Sequence, residues 1–188
     1  MVRAIGVIGA GRVGRNIALA TALGGYRTIL EDLLPNALRR AESDLRAGLD
    51  QAVGFARISA SAADAAFSRL EFAGSVEDAA READLVIEAG PEELESKIEI
   101  FTLLDKICRP GTILVSNAGS LSITEIARVT YRAKKCLGMR FSDPIEPGSR
   151  LEVIRGQETD DETLAITVEI GERMGARVVI VPDSDASL

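Results

Sequence analysis

The segment Gly9-Ala10-Gly11-Arg12-Val13-Gly14 constrains this chain more than any other. It follows the apolar run Ala4-Ile5-Gly6-Val7-Ile8 and opens a helical pattern that ends near Leu23, where Gly24-Gly25 can supply a left-handed stop. Strand, glycine turn and helix in that order make the phosphate-binding corner of a dinucleotide site. Gly9 permits the tight turn. Gly11 has no side chain to hold a diphosphate away from the backbone. Gly14 lets the helix lie close on the sheet. Arg12 and Val13 begin the helix, whose free N–H groups and positive dipole end face the diphosphate, so they join the three glycines as cofactor-binding candidates.

Such a corner needs an acid at the end of the second strand, here Thr28-Ile29-Leu30. Asp32 lies 21 residues after Gly11, close to the spacing of about 20 that the fingerprint requires. A carboxylate there accepts hydrogen bonds from the adenosine ribose and repels a 2′-phosphate. NAD is therefore the expected cofactor rather than NADP, and Glu31 is expected to add to the repulsion.

Beyond the corner, short β-branched runs alternate with longer helical patterns, which predicts βαβ units around a parallel sheet. Residues 35–53 read as helix, and the Ala/Ser-rich residues 59–68 as weak helix or loop. Ser75 with Asp78, Ser122 with Glu125, and Thr159 with Glu162 read as capping boxes. Leu85-Val86-Ile87, residues 112–115 and residues 177–181 read as strands. In the helix after Pro91, Leu94, Ile98, Phe101 and Ile107 fall close to one face. The whole, residues 1–188, is expected to be a single domain.

Composition narrows the function. A net charge of −7 argues against general nucleic-acid binding, which needs basic surface. No apolar run approaches the roughly 18–20 residues of a membrane span, so the chain is expected to be soluble and cytoplasmic. Cys108 and Cys136 lack metal or redox spacing and read as small buried apolar residues. Histidine is absent, which excludes a Ser-His-Asp triad, a Cys-His pair and any His-based metal site; no metal is expected.

Four separated segments carry a family likeness. They are residues 6–11; Val86-Ile87-Glu88-Ala89 with Pro91-Glu92 and Lys97 beyond; Ser116-Asn117 leading to Ser120-Leu121 and Ile123-Thr124; and Leu151-Glu152-Val153-Ile154-Arg155-Gly156. In this order, and over nearly the whole chain, they resemble the NAD-binding domain of the 3-hydroxyacyl-CoA dehydrogenases. The resemblance implies a Rossmann-type α/β fold, a doubly wound, mostly parallel sheet flanked by helices, with NAD as cofactor. It places Glu92 and Lys97 at the cofactor; taken alone, they would be a helix-start charge and a surface charge.

The family's catalytic histidine stands in a His-Phe-Phe-Asn-Pro stretch, with a Glu twelve residues later and a Ser nearby. The matching stretch here is Arg140-Phe141-Ser142-Asp143-Pro144. By resemblance, Arg140 falls on the His, Asp143 on the Asn and Gly119 on the Ser, where it is counted with the cofactor-binding residues. Glu152 keeps its place, twelve residues after Arg140. Arg140, Asp143 and Glu152 are thus the catalytic candidates. Oxidising a 3-hydroxyl group needs a base for its proton, and an arginine stays charged at neutral pH. Arg140 is left open to an ion pair with Asp143 or Glu152, to binding a substrate anion, or to being a surface charge.

Two functions follow. One is an NAD-dependent oxidoreductase acting on an acyl-CoA or small hydroxy or keto acid, with Arg140 binding or polarising the substrate and Asp143 or Glu152 as base. The other is a non-catalytic NAD-binding module. The resemblance implies a further helical domain after this one. The sequence ends soon after Val181-Pro182-Asp183, so that domain is read as absent and self-association or a partner chain is expected.

Overall fold

Every residue of β1 (Ala4–Ile8) is buried, as expected of a strand covered on both faces. In the computed structural model, which describes residues 1–142, Ile145 and residues 147–183, β1 lies inside an eight-stranded sheet. The elements that follow are α1 (Arg12–Leu23), β2 (Arg27–Glu31), α2 (Pro35–Gly54), α3 (Ala60–Phe67), β3 (Leu70–Ala73), α4 (Val76–Ala80), β4 (Leu85–Glu88) and α5 (Leu94–Ile107). Then come β5 (Ile113–Ser116), α6 (Ile123–Ala127), a short 3-10 turn (Ala133–Lys135), β6 (Cys136–Phe141), β7 (Arg150–Arg155), α7 (Asp161–Arg173) and β8 (Arg177–Pro182).

The strand order is β3-β2-β1-β4-β5-β6-β7-β8. The first six strands are parallel; β7 runs antiparallel to β6, and β8 is parallel to β7. The chain winds outward from β1 in one direction and from β4 in the other. This is the doubly wound Rossmann arrangement, and its ligand crevice opens where the carboxyl ends of β1 and β4 part.

Strand alternation divides the core. Ile5, Val7, Leu85, Ile87 and Val115 face one way and pack with Ile17 of α1 and Leu45 and Leu49 of α2. Ala4, Ile8, Val86 and Leu114 face the other way and pack with Phe101 and Leu104 of α5 and Ile126 of α6. Each fully buried Leu, Ile or Phe contributes about 1.5–3 kcal/mol, so both layers are needed to hold the sheet.

Several elements differ from expectation. Residues 60–67 form a regular helix, capped by Ser59, whose hydroxyl accepts the Ala62 N–H. Ser75 and Ser122 cap their helices as expected, but Thr159 does not. Its hydroxyl is buried and donates to the Cys136 carbonyl, and Asp160 caps α7 instead. The buried stripe of α5 is Lys97, Phe101 and Leu104, continued by Cys108 at its C-cap and rotated from the expected face because Lys97 has a buried partner. β3, β6 and β7 are additional strands. In β6, Gly138 leaves room for the Ile123 side chain, which would have to shift for a Cβ there, at 2.7 Å from its Cδ1. Cys108 and Cys136 are both buried, and burial pushes their thiols up to about 11, so neither is a nucleophile at neutral pH.

Candidate functional site

The glycine turn takes the geometry its residues predict. Gly9 has φ +101°, a conformation that favours glycine. A Cβ on Gly14 would lie 1.8 Å from the Gly9 carbonyl oxygen, so only glycine lets α1 start this close to the strand end. A Cβ on Gly11 would meet nothing within 4 Å and would fill the open space where a diphosphate must sit. Gly11 is the N-cap of α1 and supplies no side-chain bond, so the first-turn amides of Arg12 and Val13 face the turn without a side-chain cap. The cradle fits the diphosphate of a dinucleotide.

Asp32 is pinned beside it. Oδ2 accepts the Ala10 N–H at 3.1 Å and Oδ1 accepts the Leu34 N–H at 2.9 Å. The carboxylate is partly exposed and keeps lone pairs for ribose hydroxyls. Glu31 does not join it at the ribose. It is 2% exposed, and its Oε1 has no hydrogen-bond partner among the described residues. Burial, reinforced by the charge of Asp32 and opposed by the Gly9 N–H, pushes its carboxyl up to about 7. Glu31 and Asp32 line a cavity of about 410 Å³ together with Ile8, Gly9, Leu34 and Val76.

At the end of β4 the structure places a buried ion pair that sequence reasoning missed. Lys97 Nζ donates to both oxygens of Glu88, at 3.0 and 2.8 Å, and to the Asn117 carbonyl at 3.3 Å. The side chains are 0% and 3% exposed. Glu88 also accepts the Gly90 N–H at 2.6 Å and the Ser116 hydroxyl at 2.8 Å. Lys97 therefore sits beneath the crevice, fixing the loops after β4 and β5. A Glu at a strand end nine residues before a Lys on the following helix was the available signal.

Glu92 lies above this pair, at the surface. One of its oxygens accepts the N–H groups of Gly119 (2.7 Å) and Ser120 (2.8 Å), tying the loop after β4 to the loop after β5. Gly119 also lines a smaller cavity, of about 160 Å³, with Val13, Asn16, Asn117, Arg140 and Phe141. This cavity brings the start of α1 to the carboxyl end of β6.

Arg140 and Glu152 are register partners across β6 and β7. Arg140 Nη1 lies 2.7 Å from Glu152 Oε2, and Arg140 Nε reaches the Ala118 carbonyl at 3.4 Å. Arg150 holds the other Glu152 oxygen at 2.7 Å. One carboxylate thus sits between two guanidinium groups, and of the alternatives left open for Arg140 the ion pair with Glu152 is formed. Arg150 is a further residue that sequence reasoning missed. Asp143, the third catalytic candidate, lies outside the described residues.

Residues 4–184 match the family model described as 3-hydroxyacyl-CoA dehydrogenase, NAD binding domain. The "Probable 3-hydroxybutyryl-CoA dehydrogenase" of Bacillus subtilis is 36% identical over 182 residues, 97% of this chain and 63% of that protein. The peroxisomal bifunctional enzyme of Danio rerio is 32% identical over 96% of this chain but only 24% of its own length. The crystal structure of (S)-3-hydroxybutyryl-CoA dehydrogenase from Ralstonia eutropha superposes with a TM-score of 0.93 at 30% identity, over 98% of this chain and 65% of that one. The chain thus spans less than two thirds of these relatives. The glycine cradle, Asp32 and the matched span agree: the chain belongs to the 3-hydroxyacyl-CoA dehydrogenase family and corresponds to its NAD-binding domain.

Proposed function

We propose that the chain serves an NAD-dependent oxidoreductase acting on a 3-hydroxyacyl-CoA-like substrate, with Arg140 standing where the family has its catalytic histidine. The observation that carries this reading is the position of Arg140. Its guanidinium is ion-paired to Glu152, and the residue lines the same cavity as Val13 at the start of α1 and Gly119. Bound NAD supplies a hydride acceptor or, when reduced, a donor. Residues 9–14 and the start of α1 hold the diphosphate, Asp32 holds the adenosine ribose, and Glu92 and Lys97 fix the loops beside the cofactor.

Arg140 donates hydrogen bonds to a substrate oxygen and stabilises negative charge there. It does not accept a proton. Hydroxyl oxidation and its reverse, carbonyl reduction, share one transition state and both need a group that exchanges the oxygen's proton, so with arginine alone both are expected to run about 10²–10⁴-fold slower than with histidine. Asp143 and Glu152 are the remaining acids for that proton. Glu152 is already engaged by both Arg140 and Arg150, which favours a second reading: a non-catalytic NAD-binding module or subunit that works with a partner chain or a second copy.

The test is NADH consumption with 3-oxoacyl-CoA and small oxo acids, alongside calorimetric titration of NAD. Turnover supports the first reading. Binding without turnover across both substrate classes, with self-association or a partner seen by light scattering, supports the second. No binding heat with either oxidation state of the cofactor refutes both.

A further inference from the structure

Glu31 is buried in the wall of the cavity beside Asp32 and has no role in the reading above. It is the register partner of Ile8 in the β1–β2 ladder, one position before Asp32, and it lines the larger cavity with Gly9. It is nearly fully buried, yet among the described residues Oε1 meets no donor. An ionised carboxylate in that position is costly, and a protonated one is much less so.

The charged groups around it do not relieve the cost. Asp32, its chain neighbour, is acidic and acts on it directly. Across β1, Glu88 lines the same cavity and is neutralised by Lys97 of α5, whose ammonium is wholly taken up by Glu88 and the Asn117 carbonyl. On β3 its partner is Ala73. The first turn of α4 carries Glu77 and Asp78, engaged by Arg81 and Ser75 respectively. Burial and Asp32 together move the Glu31 carboxyl to about 7, so both forms are populated at neutral pH.

NAD held at the turn that begins at Gly9 would bring the negative charge of its diphosphate near Glu31 and displace water from the cavity that both residues line. Added negative charge and lost water both disfavour the carboxylate further. We propose that NAD is captured together with a proton on Glu31, which makes Glu31 a positioning residue that sets the pH range of cofactor binding. The proposal rests on the NAD site and is independent of whether Arg140 supports turnover.

With one linked proton, affinity falls by up to tenfold per pH unit above the free-state midpoint, or as much as about 30-fold between about pH 6 and about pH 8.5. The experiment is calorimetric titration of NAD into the full chain at both pH values, in buffers with different ionisation heats. The expected result is weaker binding at the higher pH, with uptake of close to one proton per NAD there. Glu31→Gln, a neutral mimic of the acid, is expected to bind equally at both pH values with no proton uptake.

Wild-type affinity that is flat across the range, or a Glu31→Gln variant that keeps the wild-type slope, overturns the proposal. If Glu31→Gln does not fold, the proton count of the wild type decides alone, and zero uptake overturns it. No heat at either pH removes the NAD site itself, whereas pH-independent heat removes only the role of Glu31.

Discussion

Replacing Lys97 with methionine tests whether the ion pair beneath the crevice holds the domain together. In the parent, the ammonium is fully buried and lies 2.8–3.0 Å from both Glu88 oxygens. After Lys97→Met, Glu88 keeps only two neutral donors, the Gly90 N–H and the Ser116 hydroxyl. Removing one partner of a buried pair costs about 3–5 kcal/mol, because the other charge is left uncompensated. Folded domains hold only about 5–15 kcal/mol in total, so the loss is a large share. At about 2–4 °C per kcal/mol for a chain of this length, the melting temperature should fall by about 6–20 °C. Glu88→Met alone should do comparable harm. The double replacement Glu88→Met with Lys97→Met should recover most of the loss, since an apolar pair of similar volume is often neutral or better. Urea unfolding of all four proteins gives the coupling energy, the two single losses less the double one, expected at about 5 kcal/mol or more. A Lys97→Met variant within about 1 kcal/mol of the parent, or a double variant no better than the worse single one, would refute the reasoning. The double variant should still bind NAD more weakly, because the pair also positions Gly90, Ser116 and Asn117.

Asp32→Ala should weaken NAD binding by about 10- to 100-fold, as expected for losing charged hydrogen bonds, while improving the ratio of NADP to NAD affinity in calorimetric titration. Gly14→Ala should abolish measurable NAD binding and lower the melting temperature, because its Cβ cannot coexist with the Gly9 carbonyl at 1.8 Å. Arg140→His combined with Asp143→Asn should raise the rate of 3-hydroxyacyl-CoA oxidation by about 10²-fold or more in an NADH-absorbance assay; no gain would count against Arg140 occupying the histidine position. The raised Glu31 carboxyl gives the cofactor-free chain stability that is complete below about 4.5 and is lost as pH rises to about 7. The difference between wild type and Glu31→Gln in urea melts should therefore change by about 3 kcal/mol over that interval, with wild type relatively weaker at the upper end.

The parts of this domain that are legible in sequence are those set by neighbours along the chain. The turn at residues 9–14 is one, because strand, glycines and helix are contiguous and each glycine answers a local steric demand. The serine caps at Ser75 and Ser122 are others. What is not legible depends on elements that meet only in space. Lys97 looks like a solvated helix charge until β4 brings Glu88 beneath it. Thr159 looks like a cap until β6 presents the Cys136 carbonyl to its hydroxyl, leaving the cap to Asp160. Glu31 and Asp32 look like a matched acidic pair, but strand alternation buries the first and leaves the second at the cleft. β7 buries Leu151, Val153 and the adjacent Ile154, which breaks strict alternation, and its pairing with β6 sets Glu152 beside Arg140, where Arg150 takes the second oxygen. No spacing rule foretells that three-group cluster.

The turn at Gly119 and Ser120 has a chemical consequence. Both of its backbone amides already donate to a single oxygen of Glu92. A main-chain oxyanion hole built from this turn would need those same two hydrogens, so the turn cannot shelter a nascent alkoxide without releasing the glutamate. Its neighbour across the small cavity, a guanidinium, is then left to meet that charge.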